Sequence, residues 1–143
     1  MRANLAATAL AVVVGAGVLA LAPVTLAAPA AAAAAASATA QAAPAFNASG
    51  VWQIFQSNGP TVTINLTQDG SGRLFGSASF GGTVGTIEQG AVDGTGISFV
   101  IGWSDGAQGR YTGWLGADRH LSGTTVNLNN PSQQANWFTT RTF

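Results

Sequence analysis

Past Gly50 the chain is cut by short turn signals into runs in which apolar and polar residues alternate, and that punctuation restricts it to strands. The signals are Ser57-Asn58-Gly59-Pro60, Asp69-Gly70-Ser71-Gly72, Gly81-Gly82, Asp93-Gly94-Thr95-Gly96, Asp105-Gly106 and Ala117-Asp118. Tight hairpin turns hold residues at positive φ, which Gly adopts freely and Asn and Asp tolerate better than other side chains. A spacing of about a dozen residues is that of sandwiches and barrels. Between the turns, Val62, Ile64 and Leu66 share one face of one run, and Ile97, Phe99, Ile101 and Trp103 share one face of another. Period two with one buried face is the signature of an antiparallel strand lying over a core. No run beyond Gly50 carries a helical period.

The sequence therefore predicts an all-β fold of eight antiparallel strands at 50–56, 61–68, 73–80, 83–92, 96–103, 108–116, 120–127 and 136–142. Joined in order, they form an up-and-down meander that closes into a barrel. The stretch 81–92 is the least regular, with Val84, Ile87 and Val92 scattered among glycines. A large residue followed two positions later by glycine recurs at Leu74/Gly76, Tyr111/Gly113 and Leu121/Gly123, the alternation that fits side chains into a tapering interior. Eight strands leave room for packed side chains or for one small ligand, and closure removes exposed strand edges.

Ahead of this domain stands a different kind of sequence. Arg2, a mostly apolar run over 5–22, Pro23 and an alanine-rich stretch read as the n-, h- and c-regions of a secretory signal. The run is too rich in alanine and glycine to make a good membrane anchor. Cleavage is expected after Ala27 or, on the better small-x-small match, after Ala40. The expected organisation is a signal peptide with its alanine-rich c-region over 1–40, a short linker over 41–49 and the β-barrel domain over 50–143. The expected address is secreted, outside a bacterial cell, with no membrane attachment in the mature form. The chain has no cysteine, so the fold must hold by burial alone.

Charge narrows the function. After residue 41 the charges are Arg73, Arg110, Arg119 and Arg141 against Asp69, Glu88, Asp93, Asp105 and Asp118, four against five. Such a surface has no basic field for nucleic acid. His120, the one histidine, sits beside the turn at Asp118, where no buried triad is expected. One histidine and no cysteine make a poor metal set. The aspartates are accounted for as turn formers, which leaves Glu88 without the partner a glycosidase needs. The expectation is a protein without catalytic residues, cofactor or metal.

Gly50-Val51-Trp52 on the first strand, with Arg141 near the end of the chain, resembles the signature of the calycins, the superfamily of lipocalins, fatty-acid-binding proteins and avidins. That resemblance implies that Arg141 lies across the Trp52 indole as a cation–π contact closing the barrel. The order Phe99, Trp103, Tyr111-Thr112-Gly113 and Ala135-Asn136-Trp137 is similar to that of avidin aromatics. Two positions depart from it. Ile54 stands where avidins carry an asparagine, and Asn136 falls out of step with the inward face, so biotin is not expected. Leu121-Ser122-Gly123-Thr124-Thr125, with Asn130-Pro131-Ser132 and Trp137, also resembles secreted actinobacterial β-domains.

By strand phase Phe99, Trp103, Tyr111 and Trp137 face inward, and they form the candidate site for a small apolar or amphipathic ligand. The other reading of the same residues is an ordinary filled core, to which a barrel this small is inclined. Phase places Phe75, Val100, Trp114 and Phe138 outward, and Phe75 with Trp114 is the candidate interface of a homo-oligomer or a protein-binding module. A one-residue slip would reverse every one of these assignments.

Overall fold

The computed structural model describes residues 40–143; the signal reading and its Ala27 site lie outside the described residues. The expected eight-stranded meander is the fold. Its strands are β1 Gly50–Gln56, β2 Thr61–Gln68, β3 Arg73–Phe80, β4 Thr83–Asp93, β5 Gly96–Trp103, β6 Gln108–Leu115, β7 Leu121–Asn127 and β8 Gln134–Phe138. Each pairs antiparallel with its neighbour in sequence, and β1 pairs with β8 to close the barrel.

The inward phases are those of the sequence. Trp52, Ile54, Val62, Ile64, Leu66, Ile97, Phe99, Ile101, Tyr111, Leu121 and Trp137 are all buried. One large-then-glycine pair does not survive: Leu74 is buried, but Gly76 is exposed at a φ of 152°. It faces the irregular part of β4, where register shifts against β3 and against β5 each mark an extra residue on β4, with Gln89 at a φ of 48°. Against β2 the register of β3 is unbroken.

The row Gly113, Gly123 and Trp137 shows what the surviving glycines do. The three are register partners across β6, β7 and β8. A side chain at Gly113 would collide with the six-membered ring of Trp137, so the indole lies over two backbones that carry none. Its Nε1–H donates to the Thr124 carbonyl at 2.9 Å.

Residues 41–49, expected as a linker, belong to the fold. Phe46 and Ala48 are buried at 7% and 0% exposure, across the end of the barrel where β1 begins. Backbone bonds from Ala45 N–H to the Gly94 carbonyl and from Gly94 N–H to the Ala42 carbonyl tie the segment to the β4–β5 turn. Gln68 holds it a second time: its Oε1 accepts from Ala48 N–H at 2.7 Å, and its Nε2 donates to the Phe46 carbonyl at 3.1 Å. A polar-poor Ala/Pro/Ser sequence reads as linker, yet one aromatic is enough to anchor it when an apolar end is waiting to be covered.

Arg141 also differs from expectation. β8 ends at Phe138, so Arg141 follows the last strand instead of lying on it. Its guanidinium sits 4.7 Å from the Phe143 ring centroid, and it is Phe143 that meets Trp52 edge-on at 5.1 Å. Arg141 still joins the two ends of the barrel wall, because its Nη1 donates to the Ser49 carbonyl at 3.0 Å. Gly50, at φ 110°, would bring a Cβ to 3.1 Å from that nitrogen, so the glycine of the Gly-x-Trp stretch leaves room for Arg141. Phe46 packs edge-on against Phe143 at 5.8 Å and completes an aromatic plug.

Candidate functional site

Among the described residues, the opposite end of the barrel has no such plug. There the strands β1, β3, β5 and β7 finish and the strands β2, β4, β6 and β8 begin, so four connections surround the mouth. Continuing the inward phase of each strand toward this end replaces apolar residues with polar ones. After Trp52 and Ile54 comes Gln56, and after Leu121 and Gly123 come Thr125 and Asn127. The resulting cavity is about 440 Å³, lined by Gln56, Trp103, Tyr111, Thr125 and Asn127 from the walls and by Asn58, Gln108, Ser132, Gln133 and Gln134 at the rim. A second lobe of about 240 Å³ shares Gln56, Trp103, Ala107 and Tyr111 and continues toward Val62, Phe80 and Thr83.

Trp103 is half-buried and forms one wall. It pairs with Gly85 on β4, where a Cβ would stand 3.1 Å from its Cε3. Glycine at that position lets the indole lie close against the strand. Tyr111 forms the floor, stacked on Phe99 with centroids 5.2 Å apart and planes 11° from parallel. Its hydroxyl oxygen accepts from Gln56 Nε2 at 3.1 Å. Burial pushes the Tyr111 phenol above its ordinary value of 10.0, while hydrogen bonds with Thr125 and Gln56 act in the opposite direction.

Among the described residues no Asp, Glu, Arg, Lys or His lines the larger cavity. Asp105 reaches the smaller lobe, and its Oδ1 is occupied by the Ala107 N–H of its own turn at 3.0 Å. Among the described residues no group of three or more His, Asp or Glu side chains stands together as a metal site. His120 lies at the plugged end, with Nδ1 3.0 Å from the Arg141 carbonyl.

The four expected ligand residues separate into two pairs. Trp103 and Tyr111 line the mouth. Phe99 and Trp137, at 1% and 2% exposure, lie beneath it in the core. Gln56, Thr125, Asn127 and Phe80 are part of the cavity and were not singled out from sequence. The available signal was a polar residue on the inward phase at the last position of a strand.

The outward residues also separate. Phe75 on β3 and Trp114 on β6 are both about half exposed, but they stand three strands apart and share no surface. Phe75 is instead covered on one side by the Arg73 guanidinium, 5.5 Å from its ring. Val100 faces outward by phase yet is only 7% exposed, flanked in register by the long side chains of Glu88 and Arg110. The continuous outer row is Trp114, Ser122, Phe138 and Phe55, register partners across β6, β7, β8 and β1, with Phe55 stacked on Phe138 at 5.4 Å.

No family model, curated protein or solved structure matches the chain.

Proposed function

We propose that this is an exported, non-catalytic binding protein of calycin type that takes one small neutral molecule, amphipathic in character, at the open end of its barrel. The observation that carries the reading is the contrast inside one barrel. Aromatic and aliphatic side chains fill the lower part, while about 440 Å³ remains at the mouth between Trp103, Tyr111 and a set of carboxamides. That volume falls within the roughly 300–1,000 Å³ of small-molecule sites, which pair apolar walls with a few placed polar groups. Eight-stranded barrels of this kind hold one ligand at most. The Gly50-x-Trp52 stretch, its packing with Phe143 and the Arg141 bridge to Ser49 support the calycin kinship.

Native mass spectrometry on the protein from a secreting host tests the reading. A retained small mass that is lost in Trp103→Ala is the expected result. An empty protein, with no tryptophan emission change on exposure to small neutral molecules, would overturn it.

A second reading, self-association through the barrel wall, draws on the Trp114–Phe138–Phe55 row, where Trp114 and Phe138 are 54% and 52% exposed. Solution mass at micromolar concentration decides it: a monomer throughout would remove this reading and leave the mouth untouched.

A further inference from the structure

We infer that the ligand class of the mouth is a neutral saccharide, a deduction that rests on the binding reading above. Two properties of the cavity lead there. The first is the kind and distribution of its polar groups. Gln56, Asn58, Gln108, Asn127, Gln133 and Gln134 line the β6, β7, β8 and β1 side of the opening with carboxamides, a group that both donates and accepts. Thr125, Ser132 and Tyr111 add hydroxyls of the same dual character. A fatty acid or other long apolar molecule has one polar end, and would desolvate without partners the carboxamide groups that are not already bonded within the protein. A charged ligand would find no counter-charge among the described residues lining the larger cavity, and the carboxylate of the smaller lobe, Asp105, is already bonded within its own turn. A ring of hydroxyls is the complementary pattern, because each hydroxyl also donates one hydrogen bond and accepts others.

The second property is the aromatic wall. Trp103 is held against β4 by the space at Gly85, and Tyr111 is fixed by its stack on Phe99 and its bond to Gln56. These rings are rigid, apolar surfaces beside neutral hydrogen-bonding groups. A pyranose has that dual surface, with C–H groups on a face and hydroxyls around the edge. The rim is also built to stay in place. Gln108 spends both backbone groups on the β7–β8 loop, its N–H donating to Asn129 Oδ1 at 2.8 Å and its carbonyl accepting from Leu128 N–H at 2.8 Å. Asn127 Nδ2 donates to Gln133 Oε1 at 2.8 Å and Asn127 Oδ1 accepts from Asn129 N–H at 2.9 Å, which fixes the same loop from within.

The test titrates the full chain with methyl glycosides of glucose, galactose, mannose and N-acetylglucosamine and with their β-linked disaccharides, with 1-octanol as the apolar comparator. Calorimetry and tryptophan emission are the readouts. At least one saccharide is expected to bind, with affinity lowered about tenfold or more by Trp103→Ala and held within about threefold by Trp103→Phe, since an aromatic anchor supplies most of such a contact. Gln108→Ala, an exposed rim change that leaves the core alone, is expected to weaken binding about threefold through one lost hydrogen bond. Octanol binding without any saccharide binding would overturn the saccharide class and leave the binding reading standing. If neither binds the folded protein, both fall.

Discussion

The two ends of this barrel are made from the same eight strands and have opposite chemistry. At the end where β1 begins, Phe46, Trp52 and Phe143 meet edge-on, Gln68 clasps the incoming chain and Arg141 spans the gap to Ser49. At the other end the inward positions are Gln56, Thr125 and Asn127, and among the described residues no aromatic plug packs over them. Burial stabilises a fold whose sequence has no cysteine and few charges, so one end carries stability. The other is released from that task. Concentrating aliphatic and aromatic side chains in the plug and core leaves the mouth free to carry polar groups beside Trp103 and Tyr111.

The sharpest way to break this contrast is to exchange the roles of two tryptophans. Trp52→Ala, at the plugged end, is expected to cost about 3–5 kcal/mol of stability in denaturant unfolding, the range for a buried large aromatic. Trp103→Ala, at the mouth, is expected to cost about 1 kcal/mol, because its ring already borders open space. Equal costs would show that the mouth is as much core as the plug. Gly113→Ala probes the packed region between them. The new methyl would displace Trp137, with an expected loss of about 1–3 kcal/mol from overpacking.

Gln68→Ala examines the plug from its polar side. It leaves Ala48 N–H and the Phe46 carbonyl without their partners, with an expected loss of about 1–3 kcal/mol. A change below a few tenths would show that the segment 41–49 contributes nothing to the closed end.

The smallest effect is a titration. The chain has one tyrosine, so tyrosinate absorbance reports Tyr111 alone. Its midpoint is expected above 10.0, because burial beneath the mouth disfavours the phenolate. A folded-state value raised above the unfolded one means that the native state holds the proton more tightly. Its contribution to stability is complete below about pH 10, near the unfolded value, and is lost as pH rises through the folded value. Tyr111→Phe should remove that alkaline component. A midpoint at or below the ordinary tyrosine value would place the ring in water.

Much of this was legible in the sequence, and the reasons are local. Asp69-Gly70-Ser71-Gly72 reads as a turn because Asp69 can accept from the residues after it, and its Oδ1 does accept from Ser71 N–H, Ser71 Oγ and Arg73 N–H. The bond from Ser71 Oγ is also the leading reason that the Asp69 carboxyl lies below its ordinary value. Strand phase placed Phe99, Trp103, Tyr111 and Trp137 inward because alternation is a property of each strand taken by itself. Depth along the barrel is not such a property. Whether an inward aromatic reaches the mouth or stops beneath it depends on how eight strands are staggered, and this separated Trp103 and Tyr111 from Phe99 and Trp137. The same limit applies around the circumference. Phe75 and Trp114 share an outward phase, while the position of β3 relative to β6 decides that they cannot share a surface. The burial of Phe46 is not legible in the sequence because covering an exposed end is a tertiary demand, and no pattern in residues 41–49 records it. Arg141 was expected over Trp52, but the last strand stops at Phe138, so the chain beyond it could turn Phe143 onto the indole instead.

The four tryptophans happen to sample every region at issue: Trp52 in the plug, Trp137 in the core, Trp103 at the mouth and Trp114 on the outer wall. Their indole N–H resonances, followed while the folded protein is titrated with the mixed neutral saccharides, test the central claim in one spectrum. The expected result is a saturable shift of the Trp103 resonance with those of Trp52 and Trp114 unchanged. A shift led by Trp114, or four resonances that stay in place to the end of the titration, would contradict it.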